Sequence, residues 1–151
     1  MSKINKILNN IFIGNYDAAL DENCLNQYDI KIIINCTKNN KKLESDRDYM
    51  QIPINDPPNF EDKEYLINNI TKIINFIDIK IRENKNILFH CNHGSQRSPT
   101  IVALYLMHKF KFHYLDVCNF IKSQRKISFF GSINYLETLL YFDKILKNKK
   151  I

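Results

Sequence analysis

The chain has 151 residues, 44% of them hydrophobic and 25% charged, with a net charge of +6; this balance excludes a mainly disordered polymer and fits one domain, over 1–151, that buries its own core. No run approaches the roughly 20 apolar residues of a membrane span, and Met1-Ser2-Lys3-Ile4-Asn5-Lys6 lacks the apolar stretch of a secretory signal, so a cytoplasmic setting is expected. The positive charge is scattered Lys, densest at Lys38–Lys42 and Lys147–Lys150, and reads as solvated background rather than a stripe that binds nucleic acid.

In chain order, Ile11-Phe12-Ile13 reads as a strand that turns at Gly14-Asn15, and Asp17 to Gln27 as a helix. Ile30 to Cys36 is β-branched and almost wholly apolar, the pattern of a buried parallel strand. Asp48 to Ile54 is a weaker, alternating strand, and Asn55-Asp56-Pro57-Pro58-Asn59 is a loop because two consecutive prolines fit neither a helix interior nor a central strand. Glu61 to Arg82 places Leu66, Ile70, Ile73, Ile74 and Ile77 on one helical face. Asn86 to His90 is another buried strand, and Pro99 to Phe110 a helix with Pro in its first turn. Two more helices are expected near 114–125 and 132–148, the last capped by Ser132. This order predicts an α/β fold, a three-layer sandwich with a mostly parallel central sheet of four to five strands and helices on both faces. In such folds ligands bind at the carboxyl ends of strands, where the loop after His90 sits.

That loop is His90-Cys91-Asn92-His93-Gly94-Ser95-Gln96-Arg97-Ser98. A strand, a seven-residue turn and a helix start can converge backbone N–H groups and a positive dipole end on one point, which makes an anion cradle. Gly94 permits backbone angles a Cβ resists. Arg97, one of only four Arg (47, 82, 97 and 125) in a Lys-rich chain, offers a planar fork to two phosphoryl oxygens. A Cys91 thiol in this field ionises readily and becomes a nucleophile toward a cradled phosphorus. Ser98 can donate to the sulfur and ease its departure. The four cysteines (24, 36, 91 and 118) contain no C-x-x-C pair, which removes zinc-ribbon and thioredoxin-like readings. His90, Cys91 and His93 lack a fourth ligand for a metal, so no metal or other cofactor is expected. Cys24, Cys36 and Cys118 read as core filling, with Cys36 alternatively a resolving thiol for oxidised Cys91.

The segment resembles the cysteine-dependent phosphatase loop His-Cys-x-x-Gly-x-x-Arg-Ser, and nearly the whole chain resembles a small dual-specificity protein phosphatase of the protein tyrosine phosphatase superfamily. Ile11–Asn15, Ile32–Thr37 and Ile52–Asp56 resemble successive strands of that family. The resemblance implies phosphate binding by Asn92, His93, Gly94, Ser95, Gln96 and Arg97, catalysis by Cys91, Arg97 and Ser98, and a supporting role for His90 behind the thiolate. It implies Asp56 as the general acid that protonates the leaving oxygen, ahead of Glu61 and Asp62, which suit a helix N-terminus. A metal-free, two-step route through a cysteinyl-phosphate follows, with phosphotyrosine, phosphoserine and phosphothreonine proteins as substrates and partners, because so short a chain lacks the additions that deepen a tyrosine-selective slot.

His93 and Gln96 stand where the family usually has Ala and Ser, and both are expected to rim the pocket. Lys126–Gly131 lacks the family's Pro-Asn, which leaves the brace of the phosphate loop unassigned. Phe60 reads either as substrate-facing or as a helix staple. Other readings are a phosphatase of phosphoinositides or RNA 5′-triphosphates, a non-catalytic phospho-binding module, and a rhodanese-like relative. The first would favour cations inside the loop, the second tolerates intact Cys91, Arg97 and Asp56 poorly, and the third does not fit the Asp loop.

Overall fold

A computed structural model of the protein describes residues 2–148. Five strands, β1 (Ile4–Leu8), β2 (Ile11–Gly14), β3 (Ile30–Asn35), β4 (Asp48–Gln51) and β5 (Asn86–His90), form one sheet in the order β1-β2-β5-β3-β4. Only the β1–β2 pair is antiparallel. The helices are α1 (Tyr16–Ala19), α2 (Glu22–Gln27), α3 (Phe60–Arg82), α4 (Arg97–Phe110), α5 (Tyr114–Gln124) and α6 (Leu136–Asn148).

Strand alternation sorts the core into two layers. Ile13, Ile32, Ile34, Ile87 and Phe89 face one cluster with Ile73 and Ile77 of α3, Val102 and Leu106 of α4, Ile121 of α5 and Leu139 of α6. Phe12, Ile33 and Leu88 face the other, covered by Ala18, Ala19, Cys24 and Leu25. Helices therefore cover both faces of a mostly parallel sheet, as the sequence predicts. Helix α4 is buried through Ser98–Met107, an apolar surface on all sides that suits a central helix. No helix among the described residues is long and apolar enough to cross a membrane.

Three expectations are corrected. The predicted helix 17–27 is two short helices, because Asn15 and Asp21 each cap a separate start by accepting from Ala18 and Cys24 N–H groups. The strand at Asp48 ends at Gln51; Ile52 and Ile54 remain buried beyond it. The last helix starts at Leu136, and Ser132 caps nothing there: its hydroxyl donates to Asn134 Oδ1. Strand β1 was not anticipated. It buries Ile4 on one face and Ile7 on the other, with an irregular register at Lys6–Leu8, so it shows no one-sided alternation.

Register brings the site together. Gly14 of β2 and Asn35 of β3 both stand opposite His90 of β5. Three parallel strands thus end at one level, and Cys91 is the first residue past that edge.

Candidate active site

The loop 91–96 has a full account of its carbonyl groups. Cys91 O accepts from His90 Nδ1 at 3.3 Å, and Asn92 O from Tyr16 N at 3.0 Å. His93 O and Gly94 O accept from Arg125 Nη2 at 2.8 Å and Nε at 2.9 Å. Ser95 O accepts from Phe129 N at 2.7 Å, and Gln96 O from Thr100 N at 3.0 Å. Six successive carbonyls are thus held by the framework. In a trans peptide the N–H points opposite to the C=O, so the loop's N–H groups are turned away from that framework, toward the side where an anion would sit.

Gly94 is required twice over. Its φ is +67°, and a Cβ there would lie 2.5 Å from Gly14 O, well inside any tolerated contact. Cys91 is 3% exposed, and its Sγ is 3.2 Å from Ser98 Oγ. Ser98 is in the first turn of α4, whose first N–H groups have no helical partners, and it brings the Cys91 sulfur to that end of the helix. Arg97 donates from Nη1 to Ile54 O at 3.1 Å, while its Nε is buried without a hydrogen-bond partner. An orphaned buried donor is costly, and a bound oxyanion would satisfy it.

His90 lies behind the loop, stacked on Tyr16 with ring centroids 6.2 Å apart. Burial, reinforced by the Arg97 charge, lowers its pKa to about 4, so the imidazole is neutral near pH 7 and Nδ1–H serves as a donor. Cys36 follows β3, with its N–H on His90 O at 2.8 Å. Complete burial, with Cys91 adding to it, pushes the Cys36 thiol well up. Among the described residues, no group of three or more His, Cys, Asp or Glu is placed to hold a metal ion.

The Asp56 loop is tied down on both sides. Asn59 and Asp62 form a reciprocal capping box at the start of α3. Asn55 Nδ2 donates to both Asp62 oxygens, and Tyr135 Oη to Asn55 O at 2.5 Å. Asp62 is thereby fully engaged in structure. Asp56 is exposed, and its Oδ1 accepts from Asn134 Nδ2 at 2.6 Å. Phe60 is 72% exposed, so it does not staple the helix.

Each predicted site residue can now be located. Cys91, Gly94, Arg97 and Ser98 share the loop and helix start, and Arg97 reaches Ile54 O, two residues before Asp56. Asn92 and His93 are exposed at the loop tip. Gln96 corrects the expectation of a rim side chain. It is 6% exposed and bridges to the 130–134 segment, with Nε2 on Ser132 O at 2.7 Å and Oε1 accepting from Asn134 N at 3.0 Å. Its length lets one side chain engage a backbone donor and a backbone acceptor of that segment at once. Ser95 Oγ likewise donates to Ile127 O at 2.8 Å.

Two parts of the site were missed. Arg125 is the unassigned brace: it is 2% exposed and also donates to Ser2 O and Asn5 Oδ1. Its signal was present as one of four Arg in a Lys-rich chain. Asn134 and Tyr135 carried no sequence signal, because both act across distances of about 80 residues in the chain.

The family model for the dual specificity phosphatase catalytic domain matches residues 11–145. The tyrosine-protein phosphatase vhp-1 of Caenorhabditis elegans is 30% identical over 146 residues, covering 95% of this chain and 22% of its own. Dual specificity protein phosphatase 15 of Homo sapiens is 32% identical over 122 residues, covering 81% of this chain and 40% of its own. This chain therefore spans well under half the length of either relative. The crystal structure of human DUSP28 superposes with a TM-score of 0.85 at 16% identity, covering 97% of both chains, a likeness of fold. The chain belongs to the dual specificity phosphatase family, of which it carries the catalytic domain.

Proposed function

We propose that the protein hydrolyses phosphate monoesters on phosphorylated proteins, on tyrosine as well as serine or threonine, through a cysteinyl-phosphate. The observation that carries this reading is the loop whose six carbonyls are all engaged on the framework side, with Cys91 at its start and the unpartnered Arg97 Nε just past its end. Arg97 and the loop N–H groups bind the phosphoryl oxygens and stabilise their charge as the phosphorus is attacked. The Cys91 thiolate forms the S–P bond while Asp56 gives its proton to the departing oxygen. Ionised Asp56 then takes a proton from water, whose oxygen attacks the phosphorus. The S–P bond breaks, the electron pair returns to sulfur, and Ser98 donates to the thiolate.

A matched pair of phosphate esters tests the assignment. Cys91→Ser is expected to abolish turnover of both an aryl phosphate and a phosphoserine peptide while retaining binding. Asp56→Asn is expected to slow the alkyl ester by roughly 10²–10⁴ and a nitrophenyl ester far less, since nitrophenolate leaves without a proton. Unchanged alkyl-ester turnover in Asp56→Asn would remove Asp56 from this role. Comparison of phosphotyrosine and phosphothreonine peptides of one sequence tests dual specificity, and turnover of phosphotyrosine alone would contradict it.

A further inference from the structure

The side chain of Asn134 is locked in one orientation from both ends. Its Oδ1 accepts from Ser132 Oγ at 2.5 Å, so its NH2 is the end that faces Asp56 Oδ1 at 2.6 Å. The residue itself is held by Gln96, which uses both ends of its amide: Oε1 accepts from Asn134 N, and Nε2 donates to Ser132 O. In this arrangement the amide oxygen takes the Ser132 hydroxyl proton and the NH2 faces the Asp56 carboxylate, which can only accept.

From this we propose that Asn134 is a positioning residue for Asp56, and that Gln96 carries that positioning from the phosphate loop to the acid. The inference rests on the reading of Asp56 as the general acid. An amide NH2 offers only protons. The oxygen it contacts is engaged as an acceptor, so a proton on the Asp56 carboxyl is better carried on Oδ2. Of the two oxygens, only Oδ2 is then free to deliver a proton. A carboxyl free to rotate would present the wrong oxygen part of the time and would surrender the orientational advantage of a fixed donor. Gln96 stands one residue before Arg97, so the same backbone that holds the phosphate sets the position of the acid's partner. This assigns a role to the loop position that departs from the family's usual Ser.

The ionisable groups around Asp56 are Tyr135, on Asn55 O; Arg97, on Ile54 O; and Asp62 with Lys38 beside it. None of them touches Asp56 Oδ1, so the Asn134 contact can be tested separately. In Asn134→Ala, turnover of a phosphoserine peptide is expected to fall about tenfold, a fraction of the whole general-acid contribution, with nitrophenyl phosphate turnover within a factor of two. The loss is expected in kcat for the alkyl ester with KM unchanged, because the contact orients the acid and does not hold the phosphate. Asn134→Asp replaces the donor by a second carboxylate and is expected to lower alkyl-ester kcat at least as much, which serves if the Ala variant folds poorly. Gln96→Met keeps the length without polar atoms and is expected to lower alkyl-ester kcat in the same way by less. In an Asp56→Asn background, Asn134→Ala should have no further effect on the alkyl ester. An equal loss on both esters, a loss confined to KM, or wild-type behaviour of both Asn134 variants overturns the positioning role. If Asp56→Asn itself spares the alkyl ester, the assignment of the acid fails instead, and the two failures are distinguishable.

Discussion

Replacing Arg125 with Met removes the brace of the phosphate loop while keeping an unbranched side chain of similar reach. The guanidinium makes four hydrogen bonds: to Gly94 O, His93 O, Ser2 O and Asn5 Oδ1. Hydrogen bonds to a charged group contribute about 1.5–3 kcal/mol each, and an abandoned buried acceptor costs about 1–3 kcal/mol. Against this, Met avoids burying a charge, a cost visible in the lowering of the Arg125 pKa by desolvation. With Gly94 O buried and the other acceptors closer to solvent, the net loss is expected near 3 kcal/mol, within the roughly 5–15 kcal/mol of a typical domain. The variant should therefore fold. Activity should fall further than the folded fraction does, because the N–H groups of residues 94 and 95 are fixed by the carbonyls that Arg125 holds. A displacement of about 1 Å in such a site costs on the order of 10²-fold. Urea unfolding supplies the stability change, and kcat/KM on nitrophenyl phosphate supplies the catalytic one. Arg125→Lys restores the charge without the fork and should lie between. A Met variant within 1 kcal/mol of wild type and within twofold in kcat/KM would refute the bracing role.

Other predictions concern groups whose environments differ sharply. His90 has a folded pKa near 4 against an ordinary 6.5; the unfolded chain binds the extra proton between those values, so stability rises with pH across that window and is lost as pH falls through it. His90→Gln should flatten that dependence, by up to about 3 kcal/mol between pH 7 and pH 4, as read from urea unfolding at each pH; an unchanged slope would contradict it. Gly94→Ala must accept both a left-handed φ and a Cβ 2.5 Å from the Gly14 carbonyl, and is expected to lose at least about 2 kcal/mol together with phosphate binding; wild-type stability would show that the loop relaxes freely. Alkylation at neutral pH should modify Cys91 alone and be blocked by vanadate, since burial pushes the thiols of Cys24 and Cys36 up and that of Cys118 to about 12; mass spectrometry showing a second cysteine labelled at a similar rate would count against it.

What the sequence disclosed was whatever lies close together along it. Cys91, Gly94, Arg97 and Ser98 fall within eight residues, and their spacing alone describes a strand, a turn and a helix start. The buried run Ile32–Ile34 and the helical spacing of Leu66 to Ile77 are local periodicities of the same kind. What supports that loop is remote: Arg125 from the end of α5, Asn134 and Tyr135 from the segment before α6. A side chain that satisfies a distant carbonyl leaves no periodic trace. Gln96 was misassigned for the same reason. Its position beside the pocket was legible, but the direction of its side chain depended on polar groups nearly 40 residues away. Leu20 and Asp21 divided a predicted helix because Asp21 offered a new cap, a local signal outweighed by the expectation of one continuous element.

The grip of Arg125 on Ser2 and Asn5 spans more than 100 residues of chain. Closing so large a loop is entropically unfavourable and is rewarded only once both ends are in place. Residues 91–97 leave the ribosome well before Arg125 does, so during synthesis the cradle exists as sequence before it exists as shape. Cys91 thus passes through a period in which its thiol lacks the converged N–H groups and the braced backbone around it. Competence to bind phosphate is in this sense a property of the folded domain rather than of the segment that carries the chemistry.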